Sequence, residues 1–178
     1  MKRKVRWITE TAVMLALLIA LQAVTRAAGQ LVTGSFVNAV LAATVLIAGM
    51  SSGVTVALIS PVMAYLLGIA PQFVTVPAIM IGNTVFVVLL KLISTDSLWR
   101  KIAAWLTAAA AKFAVLWLLV TKIICGIAAA PLLESGMLKA PMLEKLPAMF
   151  AWPQLATALI GAAAGLVIAP LVRRALRR

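Results

Sequence analysis

Apolar residues make up 65% of this 178-residue chain and charged residues only 11%, and the mean hydropathy is +1.14. A soluble domain of this length needs more polar residues to cover its surface, so the composition excludes an ordinary soluble fold. The net charge of +12 does not indicate a nucleic-acid-binding protein, because the basic residues flank apolar stretches and leave too little polar surface. We therefore expect an integral membrane protein surrounded by lipid.

The residue types also argue against catalysis. No histidine occurs, and the acidic residues are Glu10, Asp96, Glu134 and Glu144. Catalytic triads, histidine metal sites and paired carboxylates are therefore not expected. The single cysteine, Cys125, allows no internal disulfide. The sequence predicts a protein that is not an enzyme and has no metal or cofactor.

Six apolar runs follow one another along the chain, separated by short breaks. At about 1.5 Å per residue, each run can cross a hydrocarbon core of about 30 Å, the shortest one only where the bilayer thins. Ser51-Ser52-Gly53 predicts a turn after the second run, and Pro61 predicts a kink in the third. The sequence thus predicts an all-α membrane protein, a six-transmembrane-helix bundle forming one domain over residues 1–178. The predicted spans are 8–28, 32–50, 54–68, 74–93, 102–127 and 155–172.

The distribution of basic residues predicts the orientation of the bundle. With the N-terminus in the cytoplasm, an even number of spans also returns the C-terminus there. Only Arg26, Lys122, Lys139 and Lys145 of the 16 basic residues then remain on the outer side. Because lysine and arginine are retained on the cytoplasmic side of membrane helices, we predict an N-in/C-in topology. Lys112 is assigned to the inner half of the fifth span, where its ammonium group snorkels to the interface.

Small residues form two regular strips. Ala12, Ala16 and Ala20 lie four residues apart in the first span and share one helix face, where another helix can approach closely. This strip is either internal packing or a docking face for a separate membrane subunit. The last span has a comparable strip, for which we favour internal packing. The second strip consists of Thr157, Gly161, Gly165 and Ala169.

Polar side chains concentrate near the predicted outer ends of the spans. An amide in hydrocarbon is costly unless it is paired, so Asn38 and Asn83 are expected to face the bundle interior. They either form interhelical hydrogen bonds or line a ligand pocket. Lys122 either snorkels or attracts an anionic group of a ligand. The pocket hypothesis assigns substrate binding to Asn38, Gln72, Asn83, Lys122, Trp152 and Gln154, with Phe73 and Trp117 as further walls.

The stretch from Ala128 to Pro153 combines several prolines with many apolar side chains. It is too rich in proline for a span and too apolar for a disordered linker. We therefore expect a structured segment that lies on the protein or at the membrane interface. A lid over an outward pocket and an interfacial helix are equally compatible with the sequence.

These features together resemble the substrate-binding (S) component of energy-coupling factor transporters, which are prokaryotic importers of vitamins and related micronutrients. The resemblance covers nearly the whole chain. It rests on the six spans, on the strip of Ala12, Ala16 and Ala20, and on polar stretches at the outer helix ends. Those stretches are Thr33-Gly34-Ser35-Phe36-Val37-Asn38, Ile81-Gly82-Asn83 and Trp152-Pro153-Gln154.

The resemblance implies partners and a location. In the S-component family the alanine strip docks against a membrane-embedded coupling subunit, two ATP-binding cassette ATPases supply the energy, and the substrate binds beneath the outer loops. Carried over, Ala12, Ala16 and Ala20 form the coupling face, and the outer loops are residues 29–36, 68–73 and 128–153. The chain is then a multi-pass protein of the prokaryotic cytoplasmic (inner) membrane that binds a small-molecule nutrient. It has no Walker-type Gly-x-x-x-x-Gly-Lys-Ser/Thr run, so ATP hydrolysis is expected in the partner subunits.

Two other classes of function are compatible with several spans. A stand-alone secondary transporter or a membrane assembly factor is the first alternative, although internal repeats and buried ionisable residues for ion coupling are not evident in the sequence. A membrane enzyme is the second. It would need an activated nucleophile or a metal, and the few acidic residues give that no support.

Overall fold

The computed structural model describes residues 2–69, 72–95 and 97–176, and the side chains of residues 4–69, 72–95 and 97–175. These parts of the chain are helical and contain no strand. The helices are α1 (Lys2–Thr25), α2 (Gln30–Ile47), α3 (Met50–Leu66), α4 (Val76–Ile93), α5 (Leu98–Trp117), α6 (Ala129–Glu134), α7 (Ala140–Met149) and α8 (Trp152–Leu176). A π-helix, Leu118–Ile127, continues α5, and 3₁₀ turns cover Arg26–Ala28 and Phe73–Thr75.

Within the described residues, five helical stretches are long and apolar enough to cross a membrane. They are Lys4–Ala28, Gln30–Ile47, Phe73–Ile93, Leu98–Ile127 and Trp152–Ala175. Helix α3 is also apolar but has only 17 residues, and a helix of that length spans about 26 Å. The predicted all-α class is confirmed, and the apolar helices are those of a multi-pass membrane protein. The count of six spans stays a prediction.

The turn between α2 and α3 does not lie where the sequence predicted it. Ser51-Ser52-Gly53 lies inside α3, and the chain turns at Ala48-Gly49 instead. Gly49 has a φ of +95°, a conformation that glycine adopts without steric cost. Ser52 is fully buried and accepts a 2.8 Å hydrogen bond from the hydroxyl of Thr11 on α1. Because the hydroxyl of Thr11 pairs with Ser52, this polar side chain can be buried between two helices. The prediction of a turn at Ser51-Ser52-Gly53 is therefore wrong.

The long helices alternate in direction, so that the bundle has two distinct ends. The start of α1 meets the end of α2 and the start of α3, because Trp7, Ile47 and Ser51 line one cleft. At the same end, Lys91 of α4 and Arg173 of α8 line another cleft. We call this the terminal end, since both the beginning of α1 and the end of α8 lie there. The opposite end, where α1 and α3 finish and α2, α4 and α8 begin, is called the far end.

Helix α8 packs against α2 through its strip of small residues. The four members of the strip, Thr157, Gly161, Gly165 and Ala169, are all buried. A Cβ atom added at Gly161 would lie 2.3 Å from Cβ of Asn38 and 2.7 Å from the backbone nitrogen of Ala39. Glycine therefore allows the two backbones to approach closely. The prediction of internal packing for this strip is confirmed.

Replacing Gly161 by alanine is expected to destabilise the bundle. The added methyl group meets backbone atoms of α2 that cannot move independently, so the free energy of unfolding should fall by about 1–3 kcal/mol. Thermal unfolding of the detergent-solubilised protein measures this change. Gly126→Ala is the matched control, because its added Cβ would have its nearest neighbour 3.6 Å away. Equal melting temperatures of the two variants would contradict the close α2–α8 contact.

The alanine strip of α1 faces away from the rest of the chain. Ala12, Ala16 and Ala20 are all exposed, whereas Thr11 and Leu18 on the other side of the helix are buried. The interpretation of this strip as internal packing is therefore wrong. A smooth exposed face is left along α1, available to lipid or to another membrane subunit.

The proline-rich segment is structured, as expected. It forms α6 and α7 and lies against the far end of the bundle. Its side chains Leu138, Leu146 and Phe150 are almost completely buried and pack in an apolar cluster with Leu116 and Val120. Because the segment packs on α5 and its π-helical continuation, it is part of the folded core rather than a separate interfacial helix.

Candidate binding site

A buried lysine lies at the centre of the bundle. Lys112 of α5 is only 3% exposed. It continues a four-residue spacing that includes Ala104, Ala108 and Leu116, all of which are buried. Residues at this spacing share one helix face, and the lysine therefore lies on the face of α5 that packs against the other helices. The expectation that Lys112 snorkels to the membrane interface is wrong.

Two asparagine side chains bind the ammonium group of Lys112. Its Nζ atom donates hydrogen bonds to Oδ1 of Asn38 at 2.5 Å and to Oδ1 of Asn83 at 2.7 Å. The amide nitrogen of Asn38 donates in turn to Oγ1 of Thr157 at 3.3 Å. This network joins α2, α4, α5 and α8. Asn38 and Asn83 are each 1% exposed, which confirms that both amides face the interior.

The network contains no carboxylate from the described part of the chain. Glu10 accepts a 2.7 Å hydrogen bond from Arg6 near the start of α1, and Glu134 and Glu144 are exposed on α6 and α7. The aromatic ring of Phe86 lies 5.3 Å from Nζ of Lys112 and adds a cation–π contact. Neutral oxygens and a ring only partly offset the cost of burying a full charge.

A cavity of about 290 Å³ lies directly beside this network at the far end of the bundle. Its wall is built from the end of α1, the start of α2, the end of α3, α4, α5 and the connection between α7 and α8. The volume is at the lower limit of the range that small-molecule pockets occupy, about 300–1,000 Å³. Its polar wall includes Arg26, Gln30, Asn38, Asn83, Lys112 and Gln154, and its apolar wall includes Val37, Ile79, Met149 and Phe150.

Three of the six predicted substrate-binding residues are brought together at this cavity. Asn38 and Asn83 lie in its wall beside Lys112, and Gln154 lies in its wall at the start of α8. These residues come from distant parts of the sequence. The far end gathers them because α2, α4 and α8 all begin there.

The other three predicted residues are not among the described residues that line the cavity. Lys122 is exposed on the π-helix, with its Nζ atom 5.0 Å from the ring of Trp117. Trp152 is 63% exposed at the first position of α8, and Gln72 is half-buried in front of α4. The predicted aromatic walls, Trp117 and Phe73, are also exposed. Phe150 and the aliphatic side chains form the apolar wall instead.

Sequence reasoning did not assign six further polar residues of the cavity wall to substrate binding: Gln22, Arg26, Gln30, Thr33, Ser60 and Lys112. The Oε1 atom of Gln22 and the hydroxyl of Ser60 are buried, and neither has a hydrogen-bond partner among the described residues. Ser60 is 1% exposed. Gln22 lies near the end of α1, four residues before Arg26, and this spacing was the one sequence signal that it could line a cavity. The sequence around Ser60 carries no comparable signal.

The connection between α7 and α8 covers one side of the cavity. The side-chain nitrogen of Gln30 donates a 2.6 Å hydrogen bond to the backbone oxygen of Met149, which ties this connection to the start of α2. Phe150, the next residue, is 3% exposed and lines the cavity. These contacts favour the interpretation of residues 128–153 as a cover for the cavity.

Comparison with protein-family models, with curated proteins and with solved structures gives no match for this chain. The inference of function therefore rests on the geometry of the cavity and on the chemistry of its wall.

Proposed function

We propose that the chain is the substrate-binding (S) component of an energy-coupling factor importer in a prokaryotic cytoplasmic membrane. It binds a vitamin or related micronutrient on the outer side of the membrane. The observation that carries this proposal is the polar cavity built around Lys112, Asn38 and Asn83 in an otherwise apolar bundle. Ionisable and amide groups are expensive inside a membrane, and they characteristically mark substrate pathways there.

The proposal includes six spans with both termini in the cytoplasm. The cavity lies at the far end, whereas the beginning of α1 and the end of α8 lie at the terminal end. An N-in/C-in topology therefore directs the cavity outward. Lys112 is buried and no longer counts among the basic residues assigned to the cytoplasmic side. Most of the other basic residues are still near the terminal end, in agreement with the positive-inside rule. The side chains of Lys2 and Arg3, and residues 177–178, belong to that count and lie outside the described residues.

The proposed partners are a membrane-embedded coupling subunit and two ATP-binding cassette ATPases. The exposed strip of Ala12, Ala16 and Ala20 on α1 is the proposed docking face, because small side chains allow the backbone of another helix to approach closely. The chain then binds and delivers its substrate without catalysis of its own, and ATP hydrolysis takes place in the partner subunits.

Co-purification of the chain with coexpressed coupling subunit and ATPases tests this proposal. Ala16→Trp is expected to abolish or strongly reduce the amount of coupling subunit recovered, because the indole prevents close helix approach. Ala110→Trp is the matched control, since Ala110 is also exposed but lies on α5. Recovery of the coupling subunit that is equal for both variants would contradict the assigned face. Absence of any stable complex with the unmodified chain would contradict the proposed function.

A stand-alone secondary transporter is the second candidate, and one observation favours it. A buried ionisable group was not evident in the sequence, yet Lys112 is buried in the centre of the bundle. A side chain that gains and loses a proton there could couple transport to a proton gradient. Uptake by proteoliposomes distinguishes the two candidates. An S component needs its partner subunits and ATP, whereas a secondary transporter moves substrate alone when a proton gradient is imposed.

A further inference from the structure

We infer that the ligand of this cavity is a small organic anion, and that its carboxylate or phosphate group binds the ammonium group of Lys112. This inference rests on the proposed function, because it names the chemical class of the substrate. It depends on three features of the cavity: an uncompensated charge, a free hydrogen-bond donor on that charge, and further polar groups without partners.

The first feature is the balance of charge. Lys112 and Arg26 both line the cavity, and no carboxylate is found in that part of its wall which the structure describes. A buried ammonium group beside amide oxygens alone is unfavourable relative to an apolar side chain of similar volume. An anionic ligand supplies the missing counter-charge, so the lysine is costly for the empty site and favourable for the occupied one.

The second feature is the hydrogen bonding of Lys112. An ammonium group has three donors and no acceptor, and two of these donors bind the oxygens of Asn38 and Asn83. The third is available to a ligand. The same constraint fixes the orientation of Asn83: its oxygen must face the lysine, so its amide nitrogen must point elsewhere. No acceptor for that nitrogen is found among the described residues, which makes it a second donor for an anion.

The third feature is the set of unpaired polar atoms nearby. The hydroxyl of Ser60 is buried without a partner in the cavity wall, and so is the Oε1 atom of Gln22. Unpaired buried polar groups are rare in folded proteins and cost free energy unless something binds them. Val37, Ile79 and Phe150 form an apolar wall in the same cavity. The hydroxyl of Ser60 can donate to the anionic group, whereas the Gln22 oxygen only accepts and requires a donor on the ligand. The ligand is therefore a compact molecule with an anionic end, an apolar body and at least one hydrogen-bond donor.

Mass spectrometry of small molecules released from the purified protein tests this inference. The unmodified chain and Lys112→Met are solubilised from membranes of cells grown in rich medium, and the bound molecules are compared. We expect an organic anion that Lys112→Met loses, because removing a charge-assisted hydrogen bond weakens binding by about 10- to 100-fold. A neutral or cationic molecule, or an anion that both proteins retain equally, would overturn the inference while leaving the proposed function standing.

A retained phospholipid that depends on Lys112 would have the opposite meaning. It would support an anion site at the lysine and contradict the proposed uptake of a soluble nutrient. If nothing is retained, acetate, butanoate and inorganic phosphate are added at 10 mM, and thermal stabilisation is compared with that given by acetamide and butanamide. Stabilisation by at least one anion, absent in Lys112→Met, supports the inference. No stabilisation, or equal stabilisation by the amides, overturns it.

A second variant keeps the test decisive if Lys112→Met does not fold. Arg26 is exposed at the end of α1 and lines the cavity, so Arg26→Gln removes a positive charge without disturbing the buried network. We expect it to lower the affinity for the released anion, or for the stabilising probe, by about two- to fivefold. An unchanged affinity in Arg26→Gln, together with equal stabilisation of the unmodified chain by the neutral amides, would then overturn the inference.

Discussion

The double variant Asn38→Leu/Asn83→Leu is expected to lose about 3–5 kcal/mol of stability, because it leaves the ammonium group of Lys112 buried without its two acceptors. Leucine has the branched shape of asparagine and suits the apolar bundle but is larger, so the loss combines the unpaired lysine with some overpacking. Thermal unfolding in detergent should show a large fall in melting temperature. The same change would be mild if Lys112 reached the membrane interface.

Adding Lys112→Met to this double variant is expected to restore most of the lost stability. The triple variant replaces the whole polar group by apolar side chains, a change that is often neutral or stabilising. The effects of the substitutions are therefore strongly non-additive, as for residues within one hydrogen-bonded network. A triple variant that is no more stable than the double variant would contradict the buried network as described.

The sequence was sufficient to predict the helical class and the approximate bounds of the long helices. Long apolar runs identify membrane helices because backbone polar groups must be satisfied within the segment. The predicted span 74–93, for example, agrees closely with the stretch Phe73–Ile93. The error at Ser51-Ser52-Gly53 has a physical cause. Local turn propensity was overruled by a hydrogen bond from Thr11, a residue of another helix.

The candidate site was only partly predictable for a similar reason. Asn38 and Asn83 could be assigned to the interior because an amide has no long aliphatic stem with which to reach water. Lysine does have such a stem, so Lys112 could be read as snorkelling. The four-residue spacing of Lys112 from Ala108 and Ala104 was the sequence signal that places it on the buried face of α5. Which side of α5 meets the bundle is decided by tertiary packing, and so is the gathering of Gln22 and Ser60 around one cavity.

Cysteine labelling in intact cells is expected to give an all-or-none result for the orientation of the bundle. Ser135 lies between α6 and α7 at the far end, and Ser51 lies at the start of α3 at the terminal end; both are exposed. With Cys125 replaced by alanine, a charged maleimide that cannot cross the membrane should label Ser135→Cys directly. It should label Ser51→Cys only after the cells are permeabilised. The two serines form a matched pair, because each has a small exposed side chain next to a helix end.

The distribution of basic residues predicts this orientation, and the orientation decides whether the cavity can bind external nutrients. Arg26, Lys139 and Lys145 lie towards the far end, whereas Lys4, Arg100, Lys101, Arg173 and Arg174 lie towards the terminal end, and positively charged segments are retained in the cytoplasm. An outward far end gives the cavity access to external nutrients. Labelling of Ser51→Cys in intact cells, with protection of Ser135→Cys, would reverse the orientation. The cavity would then open to the cytoplasm, and uptake by capture at the outer surface would be impossible.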